Sequence, residues 1–210
     1  MRTKTLMAVI LVIMLLIGCG PRGIRYTATL SDLKCSAKST VAIAVLDQRP
    51  YVLKKEKESN YVGLVRGGYG NPFDIWTESG SPLADDMLKT IADSLRSRGF
   101  SVTPLKTSVG ETPSAVLTRF GAAKADRLLL LVLREWYSDY LPEAFAQERS
   151  NLFISVEVQV FGRNQKQLAK TAFKEDLILP SGWPEETVPD VYQRKIRQLI
   201  DDARICRALQ

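Results

Sequence analysis

Leu128-Leu129-Leu130-Leu131-Val132-Leu133 is the stretch on which the fold turns. Six consecutive apolar residues, too few for an independent helix and continuing toward Tyr137, predict a strand buried on both faces, and hence the centre of a sheet. A second run of this kind, Val41-Ala42-Ile43-Ala44-Val45-Leu46, closes on Asp47 and Pro50. Between them lie two helix signatures. Ser81-Pro82 offers an N-cap and a proline for the first helical position, and Leu83, Met87, Leu88, Ile91 and Leu95 then repeat at helical spacing up to Gly99. Thr112-Pro113 opens a shorter helix through Val116, Leu117 and Phe120. Phe100 to Leu105 reads as a strand whose Pro104 suits an edge or an end.

Downstream the period changes. Leu152, Ile154, Val156, Val158 and Val160 alternate with Phe153, Ser155, Glu157, Gln159 and Phe161, and after the turn at Gly162–Lys166 a return strand runs from Gln167 to Leu177. Strict alternation predicts an antiparallel hairpin with one wet face. A last helix is expected from about Pro189, burying Tyr192, Ile196, Leu199, Ile200, Ala203 and Cys206. The fold expected is therefore an α/β (α+β) sandwich: a mixed β-sheet with helices packed mainly on one face, a C-terminal antiparallel hairpin and a final helix.

The N-terminus has a different character. Met1-Arg2-Thr3-Lys4-Thr5 is basic, and Leu6 to Ile17 is an unbroken apolar run of twelve residues, short of the ~20 that span a bilayer. This is the pattern of a secretory signal, with an uncleaved anchor as the alternative. The run closes on Leu16-Ile17-Gly18-Cys19, which resembles the bacterial lipobox. The resemblance implies diacylglycerol on Cys19, cleavage before it, and, with Gly20 rather than an aspartate following, the periplasmic face of the outer membrane, with the inner membrane as the other address. Residues 1–18 are then signal peptide, 19–40 lipidated N-terminus and polar tether, carrying an edge strand over Arg25 to Leu30, and 41–210 a single periplasm-facing domain.

Composition narrows the chemistry. Loss of Arg2 and Lys4 with the signal leaves 27 basic against 23 acidic residues, a net of +4, scattered rather than striped, so no nucleic-acid footprint is expected. The chain has no histidine, which removes Ser-His-Asp and Cys-His nucleophile systems and imidazole metal sites. No cofactor or metal is expected. Ser31-Asp32-Leu33-Lys34 matches a Ser-x-x-Lys pattern without its companion motifs, and the acid pairs Asp85-Asp86, Glu185-Glu186 and Asp201-Asp202 read as solvated surface.

Val41 to Arg49, closing on Asp47-Gln48-Arg49, and the Arg98-Gly99-Phe100 step look like the YajG-type family of small outer-membrane lipoproteins. That resemblance implies a lipid-anchored α/β domain without known catalysis, and leaves Tyr51 to Gly80 as an insertion. Within it Arg66, Tyr69, Phe73 and Trp76 form a candidate partner-binding group in a glycine-rich connection; the competing reading is a loop folding Phe73 and Trp76 back over the core. Once Cys19 is lipidated, Cys35 and Cys206 are the two remaining thiols. They form either a disulfide or, at least for Cys206 on its apolar stripe, a buried thiol. The leading functional expectation is a non-enzymatic binding or assembly module with an envelope protein partner. A lipopolysaccharide-assembly-type accessory lipoprotein is a second, and a cell-wall glycan hydrolase using carboxylates among Glu135, Asp139, Glu143 and Glu148 is a third.

Overall fold

The computed structural model describes residues 23–37, 39–67, 69–142 and 149–210. The signal segment, Cys19, Glu143 and Glu148 lie outside them. In chain order the elements are β1 (Thr40–Asp47), α1 (Pro50–Leu53), β2 (Tyr61–Arg66), β3 (Pro72–Trp76), α2 (Leu83–Ser97), β4 (Ser101–Pro104), α3 (Pro113–Ala122), β5 (Arg127–Leu141), β6 (Arg149–Gly162), β7 (Gln167–Ile178), α4 (Pro184–Ile200) and α5 (Ala203–Leu209). They build the expected α+β sandwich around a seven-stranded mixed sheet of order β3-β2-β5-β1-β4, with β6 and then β7 on the other side of β5.

β5 is central because it serves two neighbours end to end. Its first half, Arg127–Leu133, pairs in parallel with Val41–Asp47 of β1, and its second half, Ser138–Tyr140, with Gly63–Val65 of β2. The handover falls at a bulge between Leu133 and Glu135, while β6 runs antiparallel along the whole opposite side. Gly63, at φ +153°, lets β2 come close; a Cβ there would meet the Ser138 carbonyl oxygen at 2.3 Å.

Burial follows the same division. Leu129, Leu131 and Leu133 join β1, α2 and α4 in the larger core, while Leu128, Leu130 and Val132 face Val116 and Phe120 of α3 in a smaller one. Past the bulge the larger core continues with Trp136 and Tyr140, and the opposite positions are half-exposed. α2 buries its expected stripe and ends at Gly99, φ +91°, but no Ser81 side chain caps it; Pro82 holds the cap position. Thr112 caps α3, its Oγ1 accepting from the Ala115 N–H at 3.3 Å. β4 takes the sheet edge that Pro104 suggested.

Three expectations need correction. The last helix begins at Pro184, carries Pro189 inside it and stops at Ile200, so Ala203 and Cys206 belong to a separate α5. The side-chain oxygen of Asp202 starts that helix, accepting from the N–H groups of Arg204 and Ile205 at 2.9 and 3.4 Å. The segment read as a tether with an edge strand is core from Ile24 onward: Ile24, Tyr26, Leu30, Leu33 and Cys35 are all buried. It forms a single parallel bridge, Ile24 to Thr77. Its backbone instead uses the buried hydroxyls of α2: the N–H groups of Ala28 and Leu30 donate to Thr90 Oγ1 and Ser94 Oγ at 3.0 and 2.8 Å, and Thr90 Oγ1 donates to the Tyr26 carbonyl at 2.8 Å. Helix hydroxyls thus substitute for a strand partner. The Tyr26 ring meets Trp136 and Tyr192 edge-on at centroid distances of 6.0 and 5.1 Å, and Trp136 Nε1–H donates to Tyr26 Oη at 3.0 Å. The third correction concerns the acid pairs. Asp86 is buried, where Ser79 Oγ donates to it at 2.7 Å and burial raises its pKa.

Cys35 and Cys206 are joined in a disulfide with Cα atoms 5.3 Å apart, tying the entry segment to α5.

Candidate functional site

Where β1 ends and β2 begins, the chain must bridge the handover on β5. Asp47 and Arg49 do this. Arg49 is wholly buried. Its Nε and Nη2 donate to Asp47 Oδ1 and Oδ2 at 2.9 and 2.7 Å, and Nη1 and Nη2 donate to the carbonyls of Tyr61 and Ser59 at 2.6 and 2.7 Å. Burial alone would lower the Arg49 pKa; the bonds and charge of Asp47 more than offset it. A buried charge satisfied on every side is a structural clamp. The guanidinium also lies 5.5 Å from the centre of the Tyr51 ring.

That clamp sets the position of an aromatic row across four strands. Tyr51 of α1 and Trp76 of β3 meet Tyr61 of β2 at 5.6 and 6.0 Å; Tyr61 meets Tyr137 of β5 at 6.3 Å, and Tyr137 meets Phe153 of β6 at 5.7 Å. The row lies on the α3 side of the sheet, but beyond the part α3 covers with Val116 and Phe120. Two ion pairs sit in it. Arg66 donates through Nε and Nη2 to both oxygens of Asp139 at 2.9 and 2.7 Å, and Lys57 bonds Asp74 at 2.6 Å while lying 4.7 Å over the Tyr61 ring. Burial pushes the Tyr51 phenol up to about 12 and raises those of Tyr61 and Tyr137, so all three are neutral hydroxyls at physiological pH. Along the outer edge of β3, Lys57, Pro72, Phe73, Asp74 and Trp76 line an open depression of about 610 Å³.

The four residues singled out from sequence are divided by the fold. Arg66 and Trp76 belong to the aromatic row. Phe73 pairs with Val65 and lies over Gly67 on the other side of the sheet, and Tyr69 stands at the hairpin tip. Trp76 packs against Tyr61 yet remains 39% exposed, Phe73 is 53% exposed and Tyr69 98%. Neither a single binding loop nor a loop folded over the core describes them. Tyr61, Tyr137 and Phe153 were missed, although aromatics at the outward positions of otherwise alternating strands are a usable signal. Of the carboxylates, Asp139 is held by Arg66 and Glu135 lies on the same side of β5. Among the described residues no three Asp, Glu or Cys side chains gather as a metal site, and no helix is long and apolar enough to cross a membrane.

The α+β sandwich is also found in a bacterial protein of solved structure. Protein XCC0632 from Xanthomonas campestris, of the DUF330 family, shares it with a TM-score of 0.52 at 11% identity, over 89% of this chain and 93% of that one. Lipoprotein GNA1162 from Neisseria meningitidis aligns at 14% identity over 78% of this chain and 99% of its own, with a TM-score of 0.43. The hypothetical protein CT253 from Chlamydia trachomatis aligns at 13% over 80% and 96%, with a TM-score of 0.39. At these identities the likeness to XCC0632 concerns the fold. No family model and no curated protein matches the sequence.

Proposed function

We propose that this chain is a lipid-anchored, non-enzymatic binding module of the bacterial envelope, carried by Cys19 on the periplasmic face of the outer membrane, with a protein partner seated on the aromatic sheet face. The observation that carries this reading is the row in which Trp76, Tyr137 and Phe153 stay partly exposed around buried Tyr61, with the Arg66–Asp139 pair beside it. Large aromatics and arginine dominate interface hot spots, and a contiguous apolar patch left on a sheet is a common mark of a docking surface. A Tyr137→Thr/Phe153→Thr variant puts a strand-favouring β-branched residue at each position. It is expected to lose a stoichiometric partner from detergent-solubilised envelope at least about tenfold while melting within about 4 °C of the parent, the scale of one exposed contact. Equal capture by parent and variant refutes the face. Cys19→Ser should abolish labelling by a clickable fatty acid, and equal labelling refutes the anchor. Peptidoglycan turnover abolished by Glu143→Gln would replace the binding reading with the hydrolase one.

A further inference from the structure

The end of the sheet where β5 finishes is unusually apolar for a surface. Ile178 is 87% exposed and Trp183 42%, and the strongly exposed Tyr69 and Phe73 flank them. The strand registers place these residues at one level of the sheet, on both of its faces. Phe73 pairs with Val65, Val65 with Tyr140, and the Trp183 ring lies 5.2 Å from Tyr140. Ile178 pairs with Asn151, which faces Asp139 and so the rung of Leu64. The other end of β7 carries Leu168, ten residues away and about 33 Å distant along the strand.

The first described residues of the chain run away from this same end. Ile24 N–H donates to the Trp76 carbonyl at 2.9 Å, Glu78 N–H donates to the Ile24 carbonyl at 2.8 Å, and the bridge is parallel. At Ile24 the chain therefore runs in the direction of β3, from the hairpin tip toward Trp76. Cys19 lies five residues before Ile24, a reach of about 17 Å at most, and Pro72 lies five residues before Thr77 along β3, about the same length. A lipid on Cys19 is thus within reach of the level of the tip.

We infer that Tyr69, Phe73, Ile178 and Trp183 rest in the headgroup region of the bilayer that holds the anchor. The inference rests on the lipidation of Cys19. Tryptophan and tyrosine favour that depth because an apolar ring and a polar tip meet opposite media there. With Arg149 at this end and Glu185 and Glu186 following Trp183 in the chain, there is no excess of basic charge to select anionic lipid, so the contact should form on zwitterionic lipid.

The test uses the full chain, purified from its membrane and reconstituted in phosphatidylcholine vesicles containing a brominated phosphatidylcholine. Buried Trp136, and Trp76 at the end of β3 away from the hairpin tip, supply the unquenched background. The bromolipid should quench part of the parent's emission, and Trp183→Phe should remove that part. In the Trp183→Phe chain, Ile178→Trp should restore a quenched component and Leu168→Trp should not. Vesicle-bound, fatty-acid-labelled protein that shows no quenching overturns the membrane contact alone and assigns this end to a protein partner or a second copy. Quenching that survives Trp183→Phe, or equal restoration by Leu168→Trp, also overturns it. Absence of fatty-acid label overturns the contact together with the anchor.

Discussion

Removing the hydroxyl of Tyr26 separates one buried hydrogen bond from the packing around it. In Tyr26→Phe the ring keeps its edge contacts with Trp136 and Tyr192, while Trp136 Nε1–H loses the acceptor it has at 3.0 Å. Both rings are almost fully inaccessible to water, so the donor is left without a partner. An orphaned buried donor costs about 1–3 kcal/mol. In a domain of this size each kcal/mol lowers the melting temperature by roughly 2–4 °C. Tyr26→Ala also removes the ring and should cost about 3–5 kcal/mol. Urea titration followed by tryptophan fluorescence and far-UV circular dichroism measures both, with an unchanged dependence on denaturant showing that only stability moved. A double-mutant cycle with Trp136→Phe should return a coupling within the ~0.5–3 kcal/mol range of contacting residues, because the second substitution removes the orphan. A solvated tether would leave both single variants within about 0.5 kcal/mol of the parent, as surface substitutions do, and that result would refute the placement of this segment in the core.

The clamp at the strand handover gives a second expectation: Arg49→Met leaves the Asp47 carboxylate buried and unpaired and should cost about 3–5 kcal/mol in the same titration. Arg49→Lys should not rescue it, because one ammonium cannot reproduce the fork to Asp47, Ser59 and Tyr61. Non-reduced protein should yield a Cys35–Cys206 cross-linked peptide by mass spectrometry, and reduction should destabilise the fold by up to about 5 kcal/mol in the chain-entropy view of so long a loop; two freely alkylated thiols without reductant would exclude the bond. Asp202→Ala removes the cap of α5 and should cost about 1 kcal/mol near neutral pH. Hydrogen bonding from Arg204 holds the Asp202 carboxyl down at about 2. A depressed acid stabilises the fold above its unfolded value and loses that contribution as pH falls through the folded one. The gap in melting temperature between parent and Asp202→Ala should therefore be flat above about pH 5, where the unfolded carboxyl with its pKa of about 3.9 is ionised, and narrow toward pH 2.

What sequence exposed here was burial written as period. Leu128–Leu133 and Leu152–Phe161 declare their faces without any tertiary information, and the stripe of α2 does so with its glycine stop. β3 stayed hidden because Pro-Phe-Asp-Ile-Trp carries no clean alternation, and it is a strand only because β2 offers a partner. The entry segment stayed hidden because Arg, Thr, Ser and Lys dilute its four large apolar anchors. The trace it left was elsewhere: Thr90 and Ser94 stand four apart on the buried side of α2, two hydroxyls with no reason to be there unless a backbone comes to meet them. The aromatic row was lost in the same way. Tyr137 and Phe153 occupy positions that alternation assigns to water, and their meeting with Tyr61 requires β5 to exchange β1 for β2 halfway along, which no local pattern encodes.

The stapled entry segment also has a mechanical meaning. Held by the lipid proposed on Cys19 and by the proposed partner, the body would be pulled through its N-terminus. Tension at that point would peel Ile24 from Thr77 and then draw Tyr26, Leu30 and Leu33 from their seats, lengthening the leash while absorbing work. The peeling stops at Cys35, where the load passes through sulfur to α5 and the rest of the sandwich is shielded. With the proposed anchor and partner in place, the segment from Ile24 to Cys35 would act as a built-in shock absorber with a fixed travel, set by where its cysteine falls.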